Sequence, residues 1–300
     1  MNITTFFSYK GGAGRSTTCL NTIPFIAERE EAFTRAPLIL VDMDIESAGM
    51  TYLLNQQEAF VGKNDVKVLL RNQESWSANK YCELEEHPFY QWLVPVGNQL
   101  GLADNKAVMF LGVDDTSAQL NRSDVEGRLE EVMNKLRRFA QNYHCKGIIM
   151  DSAAGDQFSA RLAVDHSDKI VFCMKMTHQF RIGTFNYLNK FAIRHGAAAD
   201  EKEIILLPTV VPQDAVIDGV SQMQTSINDI STRLEANNLS RLEIRDDFVS
   251  SADMFGINEV MRFKWKEGVL FKIQNSSQLT PDEESAIGRY TKLARIVCDD

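Results

Sequence analysis

A glycine-rich stretch near the N-terminus, SYKGGAGRST, has the residue types and the spacing of a phosphate-binding loop. It follows an apolar segment that is predicted to be a strand and precedes a helix that is predicted to begin near Arg15. Glycines let backbone N–H groups turn inward, and the N-terminus of the helix adds a partial positive charge. We therefore expect phosphate to be bound by one continuous run of residues: Lys10, Gly11, Gly12, Ala13, Gly14, Arg15, Ser16 and Thr17.

Carboxylates accompany two further apolar segments. The segment LILVDMD places Asp42 and Asp44 at the carboxyl end of one predicted strand, and GIIMDSAAG places Asp151 at the end of another. Open α/β sheets bind their ligands at this edge. An acid at such a position can hold a metal-bound water, and the hydroxyl of Ser16 is suited to Mg²⁺. The sequence thus predicts that a metal ion and a phosphate group are bound side by side.

The elements that position these residues alternate short apolar strands with amphipathic helices, which predicts a doubly wound α/β fold. Several strands lack polar alternation, as strands buried on both faces do, so we expect a mostly parallel sheet with helices on both faces. The predicted strands are Ile3–Ser8, Leu38–Asp42, Gly147–Asp151, Lys169–Met174, Glu203–Leu207 and Leu242–Ile244, with a further strand near Trp92–Val96 or Ala107–Gly112.

The C-terminal segment is predicted to be a helix that packs on the core. It opens at TPDEES, where Thr280 is the N-cap and Glu283 closes a capping box. Acidic residues accompany the basic residues along this helix, so it lacks the cationic face that an anionic membrane would need. Binding to a membrane is therefore not expected.

Composition limits the class of protein. The 300 residues are predicted to form one domain, 1–300, with an elaborated, polar insertion at about 53–106. The chain carries 32 basic and 41 acidic residues, a net charge of −9, which argues against a basic coat for nucleic acid. Five scattered cysteines indicate reduced thiols. No targeting signal or bilayer-spanning apolar run is found, so the sequence predicts a cytoplasmic location.

These motifs together resemble the ParA/MinD group of deviant Walker A ATPases, P-loop NTPases whose loop is written KGGxGK(S/T)(S/T). KGGAGRST matches except at Arg15, LVDMDIESAGMT corresponds to the second motif of the group, and IIMDSAAG to its Walker B motif, DxPxG. The chain is still more similar to a branch with a KGGVGR loop and a second motif DxDxExPG, although Ala48 and Ala153 replace typical prolines. The resemblance covers about 1–50, 144–180 and 200–215, and it is weak over 53–122 and beyond 216.

The resemblance implies an ATPase that dimerises around Mg-ATP and acts as a switch on a partner protein or DNA. In that group the early lysine of the loop reaches across a homodimer to the partner's nucleotide, which gives Lys10 a catalytic role; the alternative is a solvated surface lysine. Ser16 would bind Mg²⁺, while Asp42 and Asp151 would hold metal-bound waters. Asp44 would orient the attacking water, although Asp42 and Asp44 could exchange roles.

Arg15 stands where the group has a lysine. It keeps a permanent positive charge and a fork of N–H donors for β- and γ-phosphate oxygens, so we expect Mg-ATP binding to persist. The guanidinium is bulkier and planar, so hydrolysis is expected to be slow or partner-stimulated. The alternatives are a nucleotide-sensing module with little or no hydrolysis, a P-loop kinase or ligase-like synthetase, and a regulator in a bacterial defence or secretion system.

One late segment is a candidate for contact with DNA. RFKWKEGVLFK alternates basic and aromatic side chains, a pattern that can grip phosphate backbones and stack bases. The candidate contacts are Arg262, Lys264, Lys266 and Lys272. The same alternation is typical of a half-buried strand or loop, and we favour that interpretation.

Overall fold

The computed structural model describes residues 1–29, 36–54, 84–113, 122–236, 242–264, 268–274 and 278–298. Its strands are β1 (Ile3–Ser8), β2 (Leu38–Met43), β3 (Val94–Pro95), β4 (Val108–Leu111), β5 (Gly147–Ala154), β6 (Lys169–Met174), β7 (Glu203–Pro208) and β8 (Glu243–Arg245). They form one sheet in the order β3-β4-β2-β5-β1-β6-β7-β8. Neighbouring strands run parallel except β3 and β4, which are antiparallel.

Helices connect the strands and cover both faces of the sheet. They are α1 (Arg15–Ala27), α2 (Gly49–Leu53), α3 (Gly97–Leu100), α4 (Arg122–Asn142), α5 (Phe158–His166), α6 (His178–His195), α7 (Val216–Ala236), α8 (Leu270–Gln274) and α9 (Pro281–Cys298). Within the described ranges, no helix is both long enough and apolar enough to cross a lipid bilayer.

The hydrophobic core lies on both sides of the sheet because neighbouring residues of a strand point to opposite faces. In β2, Leu38 and Leu40 belong to the cluster that contains α1 and α9. Ile39 and Val41 belong to the cluster that contains α4. Burial on both faces explains the continuous apolar runs of the strands, and it confirms the predicted doubly wound, mostly parallel sheet.

The predicted strands are confirmed, with differences at their ends. Strand β5 continues three residues beyond Asp151 to Ala154, because its end pairs with the end of β1 through Ser8 and Ala154 after a register shift. Both regions proposed for a further strand form one: β3 and β4 pair with each other, and β4 also pairs with β2. Asp151 therefore lies within β5 rather than at its end.

The predicted insertion is described from residue 84 onwards, and its residues 55–83 lie outside the described part of the chain. Phe89, Trp92 and Leu93 are buried in the same cluster as β2, β4 and α4. This part of the insertion therefore packs into the core of the sheet. A single domain over 1–300 stays a prediction.

Helix α9 packs against α1 through a buried face that includes Tyr290 and Leu293. The N–H of Thr280 donates to Glu283 Oε2 at 2.9 Å, which is one of the two hydrogen bonds of the predicted capping box, while the Thr280 hydroxyl donates to Asp282 Oδ1. The C-terminal helix is thus part of the core.

Candidate functional site

The glycine-rich loop joins β1 to α1 and depends on two glycines. Gly12 has φ of 78° and Gly14 has φ of 73°, a left-handed conformation that side chains other than glycine rarely adopt. A Cβ atom at Gly12 would meet nothing within 4 Å, so the backbone conformation, not space, requires glycine there. Gly14 is also the N-cap residue of α1. These two glycines therefore let the loop turn directly into α1, an arrangement of loop and helix N-terminus that is typical of phosphate-binding loops.

A cavity of about 770 Å³ lies over this loop at the carboxyl edge of the sheet. Every residue from Gly11 to Thr18 lines it, so the lining contains the whole predicted phosphate-binding run except Lys10, and Thr18 in addition. The loop after β2 contributes Asp44, and the loop after β7 contributes Val210. Cavities that bury a ligand of nucleotide size typically measure about 300–1,000 Å³. The loop thus lies in a cavity of suitable size for a nucleotide.

Arg15, the first residue of α1, turns its guanidinium toward two of the predicted acids. Its Nε donates to Asp151 Oδ1 at 2.7 Å. Its Nη2 lies 3.3 Å from Asp44 Oδ2 and 3.2 Å from Ser16 Oγ. Only 8% of Arg15 is exposed. In this conformation the N–H groups of Arg15 bond to Asp151, Asp44 and Ser16, the side chains that were predicted to hold the metal ion and the attacking water. The sequence had predicted that these N–H groups would bond to phosphate.

Asp151 is the most enclosed of the acids that Arg15 contacts. It is fully buried, and its Oδ2 accepts no hydrogen bond from the described residues. A buried oxygen without a partner is costly unless a ligand or water satisfies it. Asp151 therefore has one oxygen for Arg15 and one that a ligand could use.

The two acids of the DMD segment have different surroundings. Asp42 is fully buried, and its Oδ2 accepts from the N–H and from the hydroxyl of Thr51, both at 2.9 Å. Its Oδ1 accepts from the N–H of Asp44 at 3.1 Å. Asp44 lines the cavity, whereas Asp42 does not. Asp42 thus holds α2 and the start of the loop in place, and Asp44 is the member of this pair that faces the cavity.

Burial and mutual repulsion shift the pKa values of these acids. Burial raises the pKa of Asp42 to about 7, and repulsion from Asp151, its partner across the β2–β5 pair, adds to the rise. Burial also raises the pKa of Asp151, although attraction to Arg15 opposes the change. Burial lowers the pKa of Arg15, but Asp151 and Asp44 more than compensate, so the net change is upward. Arg15 therefore stays charged at any physiological pH.

Asp42 is expected to make the folded chain less stable as the pH rises from about 4 to 7. Its folded pKa of about 7 exceeds the ordinary 3.8, so between these values the folded chain holds a proton that the unfolded chain has released. Each pH unit in that window corresponds to about 1.4 kcal/mol. Urea unfolding of wild type and of Asp42→Asn at several pH values measures this effect. The difference in free energy of unfolding, wild type minus variant, should decrease as the pH rises. A pH-independent difference would contradict the prediction.

The residues at the cavity fit a magnesium ion. Within the described ranges, no three His, Cys, Asp or Glu side chains are arranged to hold a metal by themselves. The cavity instead offers the hydroxyl of Ser16 and the carboxylate of Asp44. Asp151 does not line the cavity, but it lies directly behind Arg15, which does, and its Oδ2 has no hydrogen bond from the described residues. Magnesium is usually held by one or two carboxylates, with substrate phosphates and waters completing its octahedron. This set of donors suits Mg²⁺ bound together with a nucleotide.

Lys10 lies apart from this group. Its side chain is exposed, and its Nζ donates to Gln179 Oε1 at 3.0 Å. It lines a second cavity with Gly155 and Asp156 instead of the cavity over the loop. Within a single chain, Lys10 therefore does not line the predicted nucleotide site.

The far wall of the cavity was not predicted from the sequence. It is formed by the segment 257–263, which Gly256 positions with φ of 56°. The N–H of Gly256 donates to the carbonyl of Phe248 at 2.9 Å, and the N–H of Ile257 donates to that of Pro208 at 2.8 Å. No phosphate-loop or acidic motif marks this segment, in which Gly256 is followed by a mixed run of apolar and polar residues, INEVMRF.

The candidate DNA contacts are only partly described. Arg262 Nε forms an ion pair with Glu283 Oε1 at 2.7 Å. Lys272 belongs to α8, and the side chains of Lys264 and Lys266 lie outside the described residues. Arg262 thus has an internal partner, and DNA contact by these residues stays a prediction.

No family model and no curated protein sequence matches the chain. Solved structures do match over almost its full length. Apo McdA from Cyanothece is 15% identical, with 98% of this chain and 99% of that chain covered and a TM-score of 0.62. A chain of the MinC:MinD complex from Aquifex aeolicus is 16% identical, with 98% and 96% covered and a TM-score of 0.58. MinD with Mg-ADP from Pyrococcus horikoshii is 16% identical, with 99% and 95% covered and a TM-score of 0.58.

The chain therefore has the fold of the MinD and McdA ATPases, which confirms the fold that the sequence motifs indicated. At these identities the likeness concerns the fold. The roles of individual site residues have to be argued from their chemistry.

Proposed function

We propose that the chain is a Mg-ATP-dependent ATPase of the ParA/MinD type, which dimerises around its nucleotide and acts as a switch on a partner protein or DNA. One observation carries the proposal: the glycine loop and the N-terminus of α1 share a cavity with Ser16, Asp44 and, through Arg15, Asp151. The fold supports it, since a MinD of this fold was solved with Mg-ADP.

The cavity has both polar and apolar lining. The backbone of Gly12–Ser16 and the N-terminus of α1 would bind the phosphates. Val210, Val260 and Phe263 also line the cavity, and apolar and aromatic side chains suit the flat faces of a base. A nucleoside triphosphate fits this arrangement better than an isolated phosphate.

Hydrolysis requires a positioned water and a compensated phosphate charge. A water oxygen forms a bond to the γ-phosphorus while the bond to the β–γ bridging oxygen breaks, giving ADP and phosphate, and the proton of the water ends on the phosphate. Mg²⁺ supplies positive charge to the β- and γ-phosphate oxygens. Ser16 and Asp151 would hold that ion, Asp44 would orient the water, and Asp42 would keep Asp44 in place through its backbone N–H.

A dimer would add Lys10 to the site. Because Lys10 is exposed and outside the cavity of its own chain, it is available to the nucleotide of a second copy. Positive charge supplied there would stabilise the charge that develops on the transferred phosphoryl group. Binding of ATP would then favour the dimer, and hydrolysis would release it.

A nucleotide-sensing module with little hydrolysis is the second candidate, and one observation favours it. Arg15 uses its donors on Asp151 and Asp44, so the acids that hydrolysis needs are engaged by the chain itself. Such a module would bind ATP and dimerise but would release phosphate slowly or not at all.

We expect the wild-type chain to dimerise with Mg²⁺ and a non-hydrolysable ATP analogue but not with ADP, and Lys10→Ala to remain a monomer with all of them. The physical reason is that Lys10 would supply charge to the nucleotide of the other copy. Light-scattering mass with each nucleotide measures the dimer, and phosphate release measured in parallel separates the switch from the sensing module.

Lys106→Ala is the matched control, because Lys106 is likewise an exposed lysine, lies beside β4 and pairs with Glu85. It should dimerise as wild type does. A chain that is monomeric with every nucleotide, or a dimer indifferent to Lys10, would refute the sandwich dimer. Arg15→Lys, compared with wild type for phosphate release, measures what the arginine changes.

A further inference from the structure

The guanidinium of Arg15 occupies the groups that the proposed magnesium ion would use. It lies 2.7 Å from Asp151, 3.3 Å from Asp44 and 3.2 Å from the Ser16 hydroxyl. These contacts come from three separate elements: β5, the loop after β2 and the first turn of α1. One cation of the chain itself therefore joins three oxygen donors at the carboxyl edge of the sheet.

The local charge explains why a cation lies there. Asp151 and Asp42 are both fully buried and are direct partners across the β2–β5 pair, with Asp44 close by. Buried carboxylates are strongly unfavourable without a compensating positive charge. A guanidinium and a divalent ion would repel each other at such short range, because the site has little solvent to screen them. Arg15 and Mg²⁺ therefore exclude one another from these oxygens.

We propose that Arg15 is a specificity-determining residue that keeps divalent metal out of the nucleotide-free site, so that Mg²⁺ enters only together with nucleotide. This rests on the proposed nucleotide-binding function. Arg15 lies within the phosphate loop, so the phosphates offer its N–H fork a second anionic partner. When the guanidinium turns to the phosphates, Asp151 and Ser16 become free for the metal. Nucleotide and metal then strengthen each other's binding by the same factor.

The free oxygen of Asp151 gives this proposal its second support. Arg15 bonds Asp151 Oδ1, while Oδ2 is fully buried and without a hydrogen bond among the described residues. One guanidinium therefore satisfies the acid only in part. Ser16 and this oxygen would be donors for a bound Mg²⁺, whereas Arg15 in its present position leaves the oxygen without a hydrogen bond.

The test is a titration with Mn²⁺ alone, with free Mn²⁺ measured by electron paramagnetic resonance and no nucleotide present. Wild type is expected to show no saturable site at millimolar Mn²⁺. Arg15→Gln removes the cation and should bind one Mn²⁺ at least about tenfold more tightly than wild type, because the carboxylates lose their internal counter-charge. Adding Asp151→Asn to Arg15→Gln should abolish that site.

Arg245→Gln is the matched control. Arg245, the last residue of the outermost strand β8, also bridges two carboxylates, Glu203 at 2.9 Å and Asp247 at 2.8 Å, but it does not line the cavity. The Arg245→Gln variant removes the same charge and should bind Mn²⁺ no more tightly than wild type does. The proposal is overturned if wild type binds Mn²⁺ as tightly as Arg15→Gln, if Arg15→Gln gains no site, or if the gained site survives Asp151→Asn.

A second measurement uses the wild-type chain and does not depend on the folding of a variant. The Nε–H resonance of Arg15, assigned by its absence in Arg15→Lys, should not move with Mg²⁺ alone and should move with Mg-ADP. Movement with Mg²⁺ alone would overturn the proposal, as would no movement with bound Mg-ADP. If calorimetry finds no nucleotide binding at all, the proposed function fails, and the metal-only titrations still decide the role of Arg15.

Discussion

Asp151→Ala is expected to destabilise the chain by about 3–5 kcal/mol, because it leaves the buried guanidinium of Arg15 without its main counter-charge. Arg15 is 8% exposed, and its remaining carboxylate contact would be Asp44 at 3.3 Å. The same variant should also lose the effect of Mg²⁺ on nucleotide affinity. Urea unfolding measures the first effect, and binding of a fluorescent ATP analogue with Mg²⁺ or with EDTA measures the second.

Two further variants make this result specific. Asp156→Ala removes an acid that follows β5 but is half-exposed and 3.7 Å from Arg161, so it should cost less than about 1 kcal/mol. Arg15→Leu combined with Asp151→Leu removes both charges, and it should be more stable than Asp151→Ala alone. Equal losses in Asp151→Ala and Asp156→Ala would show that the ion pair contributes little to stability.

Gly256→Ala is expected to combine a large loss of stability with weaker nucleotide binding. At φ of 56° a side chain adds strain of about 1–3 kcal/mol. Its Cβ would also lie 2.4 Å from the carbonyl oxygen of Pro208, so the backbone has to shift, at a further cost of about 1–3 kcal/mol. The shift would move the segment 257–263, which forms the far wall of the cavity. Urea unfolding and binding of an ATP analogue measure the two effects.

Gly196→Ala is a control that introduces backbone strain without displacing the segment 257–263. Gly196 has φ of 55°, nearly that of Gly256, but a Cβ there would meet nothing within 4 Å, and the residue ends α6 away from the cavity. It should lose stability through strain alone and keep the nucleotide affinity of wild type. If Gly256→Ala binds nucleotide as tightly as Gly196→Ala, the segment 257–263 is not part of the site.

Much of the candidate site could be predicted because its chemistry is local in the sequence. The run from Gly11 to Thr18 forms one continuous loop and helix start, so its glycines and Ser16 could be assigned without knowing the remainder of the fold. Asp44 and Asp151 could be placed at the same edge because parallel strands align their carboxyl ends. Their proximity then follows from the parallel pairing of β2 with β5.

The orientation of the side chains could not be predicted in the same way. Asp42 and Asp44 are two residues apart and looked interchangeable, yet Thr51 binds Asp42 and leaves Asp44 to the cavity. Arg15 was expected to point its donors at phosphate, but two acids distant in sequence hold it instead. Long-range hydrogen bonds decide both outcomes, and no spacing in the sequence encodes them.

The sequence by itself determined the fold class and the place of the glycine-rich loop and of the acids near it, because apolar periodicity and glycine spacing depend on neighbouring residues. Only the tertiary structure decided which donors face the cavity, that Arg15 lies where a metal would bind, and that the segment 257–263 forms the far wall. The physical reason is distance along the chain: Arg15 meets Asp151 across 136 residues, and Gly256 meets Pro208, the last residue of β7, although α7 and β8 lie between them in the sequence.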